Sequence, residues 1–486
     1  MLFNSHPFIL LFLPLTVAVF HILRARGWER SAFAALTIAS LIFYGWWSVK
    51  GLALLVGLIL INYGLARGLI ARRSGDWRRG ARLILIVGLA FNLGVLGYFK
   101  YANFFVQTVD QLTGVDWALR HVALPLGISF FTFQKIALLV DCHNGKVERL
   151  DFLDYVLFVA FFPQLIAGPI VHHSEVIPQF HHPPPVSWDS IAQALAIFTL
   201  GLGKKVLLAD TLAQYVAPVF AAAAHGSPVG FVDGWRAALA YTLQLYFDFS
   251  GYSEMAIGAA LLFGVHLPLN FASPYKAESI IDFWRRWHMT LSRFLRDYLY
   301  VPLGGNRKGA TRRYLNLFLT MLLGGLWHGA GWTFIAWGAL HGAYLALNHA
   351  WRRLASGREA GSAGRLLGGG LTFLSVVAAW VLFRAADLAS AGRVLRGMAG
   401  LSGFAPGPAP LGAGSLGLIA ALLLLVWIAP STQELTGYNP DASAAARPAG
   451  ARRRAQLAAR ALACGAVFAV AFLSLSKVSE FLYFQF

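Results

Sequence analysis

Residues 314–351 contain no Asp, Glu, Lys or Arg, yet hold three histidines, His328, His341 and His349. Imidazole is the side chain that takes up and returns a proton near neutral pH. If the segment is helical, the 14 residues from Tyr314 carry His328 about 21 Å along the axis. An ionisable group at that depth in an apolar element is expensive and faces either a cavity or the protein interior. Gly324, Gly325, Gly329 and Gly331 leave room there for close backbone approach or for a ligand, with Trp327 and Gly329 as the immediate neighbours. Two readings stand: a general base serving a reaction, or a packed histidine bonded to a carbonyl. For His341 packing is the stronger reading.

The preceding segment, Lys276 to Arg313, is of another kind. It carries Lys276, Arg285, Arg286, Arg293, Arg296, Arg307, Lys308, Arg312 and Arg313 against Glu278, Asp282 and Asp297. Ile280, Phe283, Trp284, Trp287, Leu291, Phe294, Leu295 and Tyr298 recur at helical spacing and form one stripe, with Asp282, Arg285, Arg286, Arg293 and Arg296 opposite. The pattern predicts an amphipathic interfacial helix over 279–300, basic on its wet face. His288 falls on the flank of the apolar stripe, as a boundary histidine or as a second site histidine.

Asp248, within Tyr246-Phe247-Asp248-Phe249-Ser250, is a carboxylate in an apolar run. It either ties helices together or lines the same cavity. His172, His173, His181 and His182 bracket a loop ending in three prolines. Adjacent histidines lack the fixed geometry of an i, i+4 pair, so a solvated loop is preferred to zinc binding and no metal is expected. No phosphate-binding glycine loop, dinucleotide fingerprint or nucleophile elbow occurs. The chemistry on offer is histidine, a basic interfacial helix and a buried cavity.

The elements that must position these residues follow from composition. The chain has 486 residues, 57% hydrophobic and 13% charged, whereas soluble domains carry roughly 25% charged residues. A soluble enzyme is excluded, as are disordered and fibrous classes. The formal charge of +18 would suit nucleic acid, but the basic residues sit in clusters between apolar segments, as the positive-inside rule expects of membrane proteins. Cys142 and Cys464 lie far apart and define no disulfide framework.

Apolar runs fall near 7–23, 31–48, 51–66, 83–99, 121–140, 153–171, 190–208, 235–250, 252–267, 314–329, 332–350, 366–383, 412–430 and 460–477. At about 20 residues per span, roughly eleven crossings plus re-entrant pieces are expected. The whole chain, 1–486, reads as one polytopic all-α body. The first run has no basic leader and should remain as a membrane helix. Residues 402–416 and 439–451 read as loops. Arginines concentrate after the first and third runs, at Arg24, Arg26 and Arg30 and again from Arg67 to Arg82. These loops, and the later clusters at Arg352/Arg353 and Arg452–Arg454, are therefore expected in the cytoplasm, with both termini in the periplasm.

Two segments, Asp282-Phe283-Trp284-Arg285-Arg286-Trp287-His288 and Leu326-Trp327-His328-Gly329, resemble the paired histidine motifs of membrane-bound O-acyltransferases. Wider similarity to the bacterial alginate O-acetylation branch lies in Lys100-Tyr-Ala-Asn-Phe-Phe, Pro125-Leu-Gly-Ile-Ser-Phe, Ala167-Gly-Pro-Ile, Gly203-Lys-Lys and Phe247-Asp-Phe-Ser-Gly-Tyr-Ser. It covers most of residues 1–385 and returns in the final Phe-Leu-Tyr-Phe-Gln-Phe. The resemblance implies a helical fold with a cytoplasmic funnel reaching a central histidine, and an acyltransferase core near 120–385. The donor would enter from the cytoplasm and the hydroxyl acceptor from the other side. His328 would be catalytic and His288 the second site histidine, with Asp248, Trp327 and Gly329 lining the cavity. Acetyl-CoA is the implied donor. Its phosphates suit arginine, which nominates Arg285, Arg286, Arg296, Asn306, Arg307 and Lys308. The implied partners are membrane lipid, an exported polysaccharide and a periplasmic esterase-like protein; nucleic acid is not among them. Two alternatives remain. One is D-alanyl transfer from a carrier protein to an envelope polymer. The other is a polysaccharide or lipid transporter, which would show the internal repeats and broken helices that this sequence lacks.

Overall fold

The computed structural model describes residues 1–72, 78–115, 117, 123–355, 361–404, 414–440, 451–475 and 482. Most of the two expected loops, 402–416 and 439–451, lies outside these residues, as do the side chains of Arg452–Arg454 and all of the last six residues except Leu482. The described elements are helices, with no strand among the described residues. The fold is all-α, and the chain is a multi-pass membrane protein.

Among the described residues, five helices are long and apolar enough to cross a bilayer: Phe8–Ala25, Val49–Ala71, Arg79–Thr113, Trp188–Ala224 and Ser362–Arg384. Much of their apolar surface faces outward, for instance Leu10, Leu11, Leu15, Leu60, Leu83, Ile86, Leu367 and Leu371. Water would not tolerate such rows, but hydrocarbon does, because a helix satisfies its own backbone.

The chain forms two compact units. The first comprises Met1–Gly203, Tyr252–Pro268 and Thr436–Val478. Its core is aromatic: Phe3 packs on Phe8 at 4.9 Å between ring centroids and Phe12 on Phe162 at 5.3 Å. Asn62 and Asn92 exchange amide hydrogen bonds of 3.2 and 2.7 Å between neighbouring helices. The second unit comprises Lys204–Gly251, Leu269–Leu435 and Ser479–Phe486, and holds both motif histidines.

Within the second unit the Gly309–His328 and Trp332–Leu354 helices form a tight hairpin. A Cβ at Gly325 would overlap the Phe334 carbonyl and the Gly338 backbone, and one at Gly338 would overlap the Met321 carbonyl. These glycines therefore serve backbone approach between helices rather than room for a ligand.

Four expectations change. The run 235–250 and the first ten residues of the run 252–267 belong to one helix, Phe231–Leu261, because Gly251 alone costs a helix only about 1 kcal/mol. The run 153–171 is divided: Phe152–Ala160 ends at Phe161, and Phe162–Leu165 restarts with Pro163 in its first turn, where a missing N–H is tolerated. The helix expected over 279–300 breaks into Ile280–Arg286, Met289–Leu295 and a π-helical turn Arg296–Tyr300. The four-histidine segment is a helix, His173–His181, rather than a solvated loop. There Glu175 accepts the His172 N–H at 2.9 Å, and His181 Nε2 lies 2.8 Å from Asp154.

Candidate active site

His328 is the last residue of the Gly309–His328 helix, and Gly329 ends that helix in extended conformation. A Cβ at Gly329 would run into the Phe334 ring, so the turn closes tightly behind the histidine. The imidazole is buried, 5% exposed, and walled by aromatic rings. Trp327 lies 4.9 Å away between centroids, Trp337 5.1 Å and Phe383 5.2 Å. The Trp332–Leu354 helix supplies Trp337, and the Ser362–Arg384 helix supplies Phe383.

His288 enters from the broken amphipathic segment. Its backbone is left-handed, φ 43°, a conformation that costs a non-glycine residue roughly 1–2 kcal/mol. That turn interrupts the helix and buries the ring completely. Phe249 meets it edge-on at 4.7 Å, and Trp327 stands 6.2 Å away. The two motif histidines are 6.3 Å apart between centroids, at an interplanar angle of 54°. Forty residues separate them in sequence, and the fold brings them side by side.

Asn270 holds the His288 turn, and nothing in the spacing of the sequence pointed to it. Its backbone carbonyl accepts the Met289 N–H at 3.0 Å. Its side-chain Oδ1 lies 3.0 Å from His288 Nδ1 and 3.0 Å from Thr290 Oγ1.

His341 is fully buried beside this pair, and its Nδ1 accepts from Trp284 Nε1 at 3.3 Å. Its ring packs on Trp337 at 4.7 Å, which fits the packing role preferred from sequence.

Asp248 is enclosed, 1% exposed. Oδ1 meets Lys205 Nζ at 2.7 Å and Oδ2 accepts the Leu482 N–H at 3.1 Å. Lys205 also meets Asp210 at 2.7 Å. Of the two roles open for Asp248, the geometry accords with the packing one, and Phe249 beside it is the residue that reaches His288.

The basic residues nominated from sequence fall into two groups. Arg286 donates to Asp282 at 3.0 Å, and Arg296 grips Asp297 through two bonds of 2.7 and 3.1 Å. Each guanidinium thus has a neighbouring carboxylate as a partner while its side chain stays partly exposed. Arg285, Asn306, Arg307 and Lys308 are exposed. Sequence reasoning missed a further group: Arg313 donates to His349 Nδ1 at 2.7 Å, and the charges of Arg313, Arg352 and Arg285 all reach that imidazole. Only the hairpin brings Arg313 beside His349, from the opposite end of the charge-free run.

This arrangement offers two neighbouring imidazoles in a water-poor aromatic shell, able to take a proton from a hydroxyl, and a separate set of cationic donors. Comparison with known proteins agrees with it. The family model described as "MBOAT, membrane-bound O-acyltransferase family" matches residues 83–377, which include both histidines. A peptidoglycan O-acetyltransferase of Helicobacter pylori is 45% identical, over 83% of this chain and 80% of its own length. A probable alginate O-acetylase of Pseudomonas aeruginosa is 44% identical, over 82% of this chain and 75% of its own. A teichoic acid D-alanyltransferase of Lacticaseibacillus rhamnosus is 26% identical over 71% of this chain. A matched segment running from the first unit through the paired histidines, with relatives at this identity over four-fifths of the chain, places the protein in one family: it belongs to the membrane-bound O-acyltransferases and is an acyl-transferring enzyme.

Proposed function

We propose that the protein transfers an acetyl group from cytoplasmic acetyl-CoA across the inner membrane to a hydroxyl, on an exported polysaccharide or on a periplasmic esterase-like partner that completes the transfer. The observation that carries this reading is the buried His288/His328 pair within its aromatic shell. In it His328 is the catalytic base, drawing the proton from the acceptor hydroxyl as that oxygen attacks the thioester carbonyl. The proton then leaves with the thiol. His288 assists from 6.3 Å away. The aromatic walls exclude water, which would otherwise divert the acyl group to hydrolysis.

The test is acetyl transfer or acetyl-CoA hydrolysis by the purified protein, with a saccharide acceptor. Transfer supports the reading. If coenzyme A thioesters are inert and an aminoacylated carrier protein serves instead, the D-alanyl alternative replaces it.

The donor phosphates are assigned to Arg285, with Arg307 and Lys308 in the turn that follows. Arg313 and Arg352 lie close enough to Arg285 that the charges of all three act on His349. Arginine suits phosphate because its planar donors bind two oxygens at once. Arg285→Gln is expected to raise KM for acetyl-CoA in neutral detergent, and to do less for a short thioester without nucleotide phosphates. Equal loss with both donors would mean that Arg285 holds the helix in place rather than the donor.

Donor entry from the cytoplasm requires the arginine-rich loops on that side. Cysteine placed at residue 2 should be labelled from outside the cell, and cysteine at residue 75 should not. The opposite pattern would reverse the proposed direction of transfer.

A further inference from the structure

We propose that Asn270 is the positioning residue that fixes the tautomer of His288, holding its proton on Nδ1 so that Nε2 carries the ring's lone pair. The inference rests on reading His288 as a site histidine of the transfer reaction.

The assignment follows from what each atom can do. A backbone N–H only donates, and the Thr290 N–H points at Asn270 Oδ1 from 3.5 Å. The Thr290 hydroxyl reaches the same atom at 3.0 Å. The Asn270 amide is therefore oriented with its oxygen, not its nitrogen, toward residues 288–290. An amide oxygen only accepts. The His288 Nδ1 at 3.0 Å from it must then be the protonated nitrogen. A neutral imidazole carries one N–H, which leaves Nε2 as the acceptor.

The surroundings make this orientation durable. Asn270 is 1% exposed, His288 0% and Thr290 2%, so water does not compete for the bond. The Met289 N–H to Asn270 carbonyl bond anchors the same loop a second time. The left-handed turn at His288 is held from outside its own helix, by a residue eighteen positions earlier. Phe249 and Trp327 pack against the ring without offering a charge. His328 is the titratable neighbour among its ring contacts, at 6.3 Å. An amide rather than a carboxylate in this place keeps His288 neutral, which suits a group that accepts a proton rather than one that holds it.

Three variants test this. Asn270→Ala is expected to lower kcat roughly 10–100-fold, the range associated with removing the hydrogen-bond partner that orients a metal-bound histidine, with KM for the donor little changed. Asn270→Asp keeps an oxygen acceptor but adds charge. It stabilises the imidazolium, so the acidic limb of the pH–rate profile should move to higher pH. Tyr275→Phe is the structural control: it removes the 2.6 Å bond from the Tyr275 hydroxyl to the Thr242 carbonyl in the same loop. It should lower thermal stability and leave the acidic limb where it is.

A readout independent of activity is 15N NMR of histidine-labelled protein, with the His288 signal identified by its loss in His288→Gln. The wild type should show a protonated Nδ1 and an unprotonated Nε2, and Asn270→Ala should mix the tautomers. A wild-type His288 protonated on Nε2 overturns the proposal and leaves the acetyl-transfer reading standing. So does an Asn270→Asp profile superimposed on that of wild type. If the tautomer is as assigned but no acetyl transfer is found with any acceptor, the transfer reading fails and the positioning of His288 survives.

Discussion

Replacing His328 by alanine is expected to lower acetyl transfer about 10²–10⁴-fold, the range associated with loss of a general base. The imidazole sits at the end of its helix, 5% exposed, among Trp327, Trp337 and Phe383. No other side chain among its described ring contacts except His288 can take a proton near neutral pH. His288 is held by Asn270 on a different segment, which makes substitution of one imidazole for the other difficult. The measurement is initial rate at saturating acetyl-CoA, together with thermal unfolding of wild type and variant in the same detergent. Because the aromatic wall remains, the unfolding temperature should fall only slightly. Full activity in His328→Ala would remove His328 from the mechanism. A large fall in unfolding temperature would instead mark it as a packing residue.

The largest effect on stability is expected at Lys205. Its ammonium, 2% exposed, stands 2.7 Å from both Asp210 and Asp248. Removing one partner of a buried ion pair typically costs about 3–5 kcal/mol, because the remaining charge stays out of water. Lys205→Met removes that cation from between two carboxylates and should be at the upper end. Asp248→Asn should be much milder, since Lys205 keeps Asp210 and the amide oxygen can still accept the Leu482 N–H. The order of unfolding temperatures should therefore be wild type, then Asp248→Asn, then Lys205→Met. The same order is expected for retention of protein after heating in detergent. If Asp248→Asn is the worse variant, the carboxylate does more than hold Lys205, and a role in the site returns to it.

The amino-acid sequence by itself determined the class of this protein. An excess of apolar residues, divided into runs of about twenty by basic clusters, admits few solutions other than a helical membrane body. It also made His328 conspicuous, because a titratable side chain in a long charge-free run stands out without coordinates, whereas its pairing with His288 came from the resemblance to the paired histidine motifs. Helix breaks were less legible. The apolar stripe from Ile280 to Tyr298 is continuous on paper, but periodicity measures side-chain pattern and carries no information on a turn held by another segment. The left-handed turn at His288 is held by Asn270, eighteen residues earlier and across the intervening helix Ile280–Arg286. The arginines show the same limit. Their number and sequence position were plain, whereas the pairing of Arg286 with Asp282 and of Arg296 with Asp297 was not, and Arg313 meets His349 only because two glycine-faced helices fold back on one another. Asp248 was ambiguous for a similar reason: a lone carboxylate in an apolar run is either functional or paired. Lys205 lies 43 residues earlier and Leu482 234 residues later, and such partners are chosen by tertiary packing rather than by local pattern.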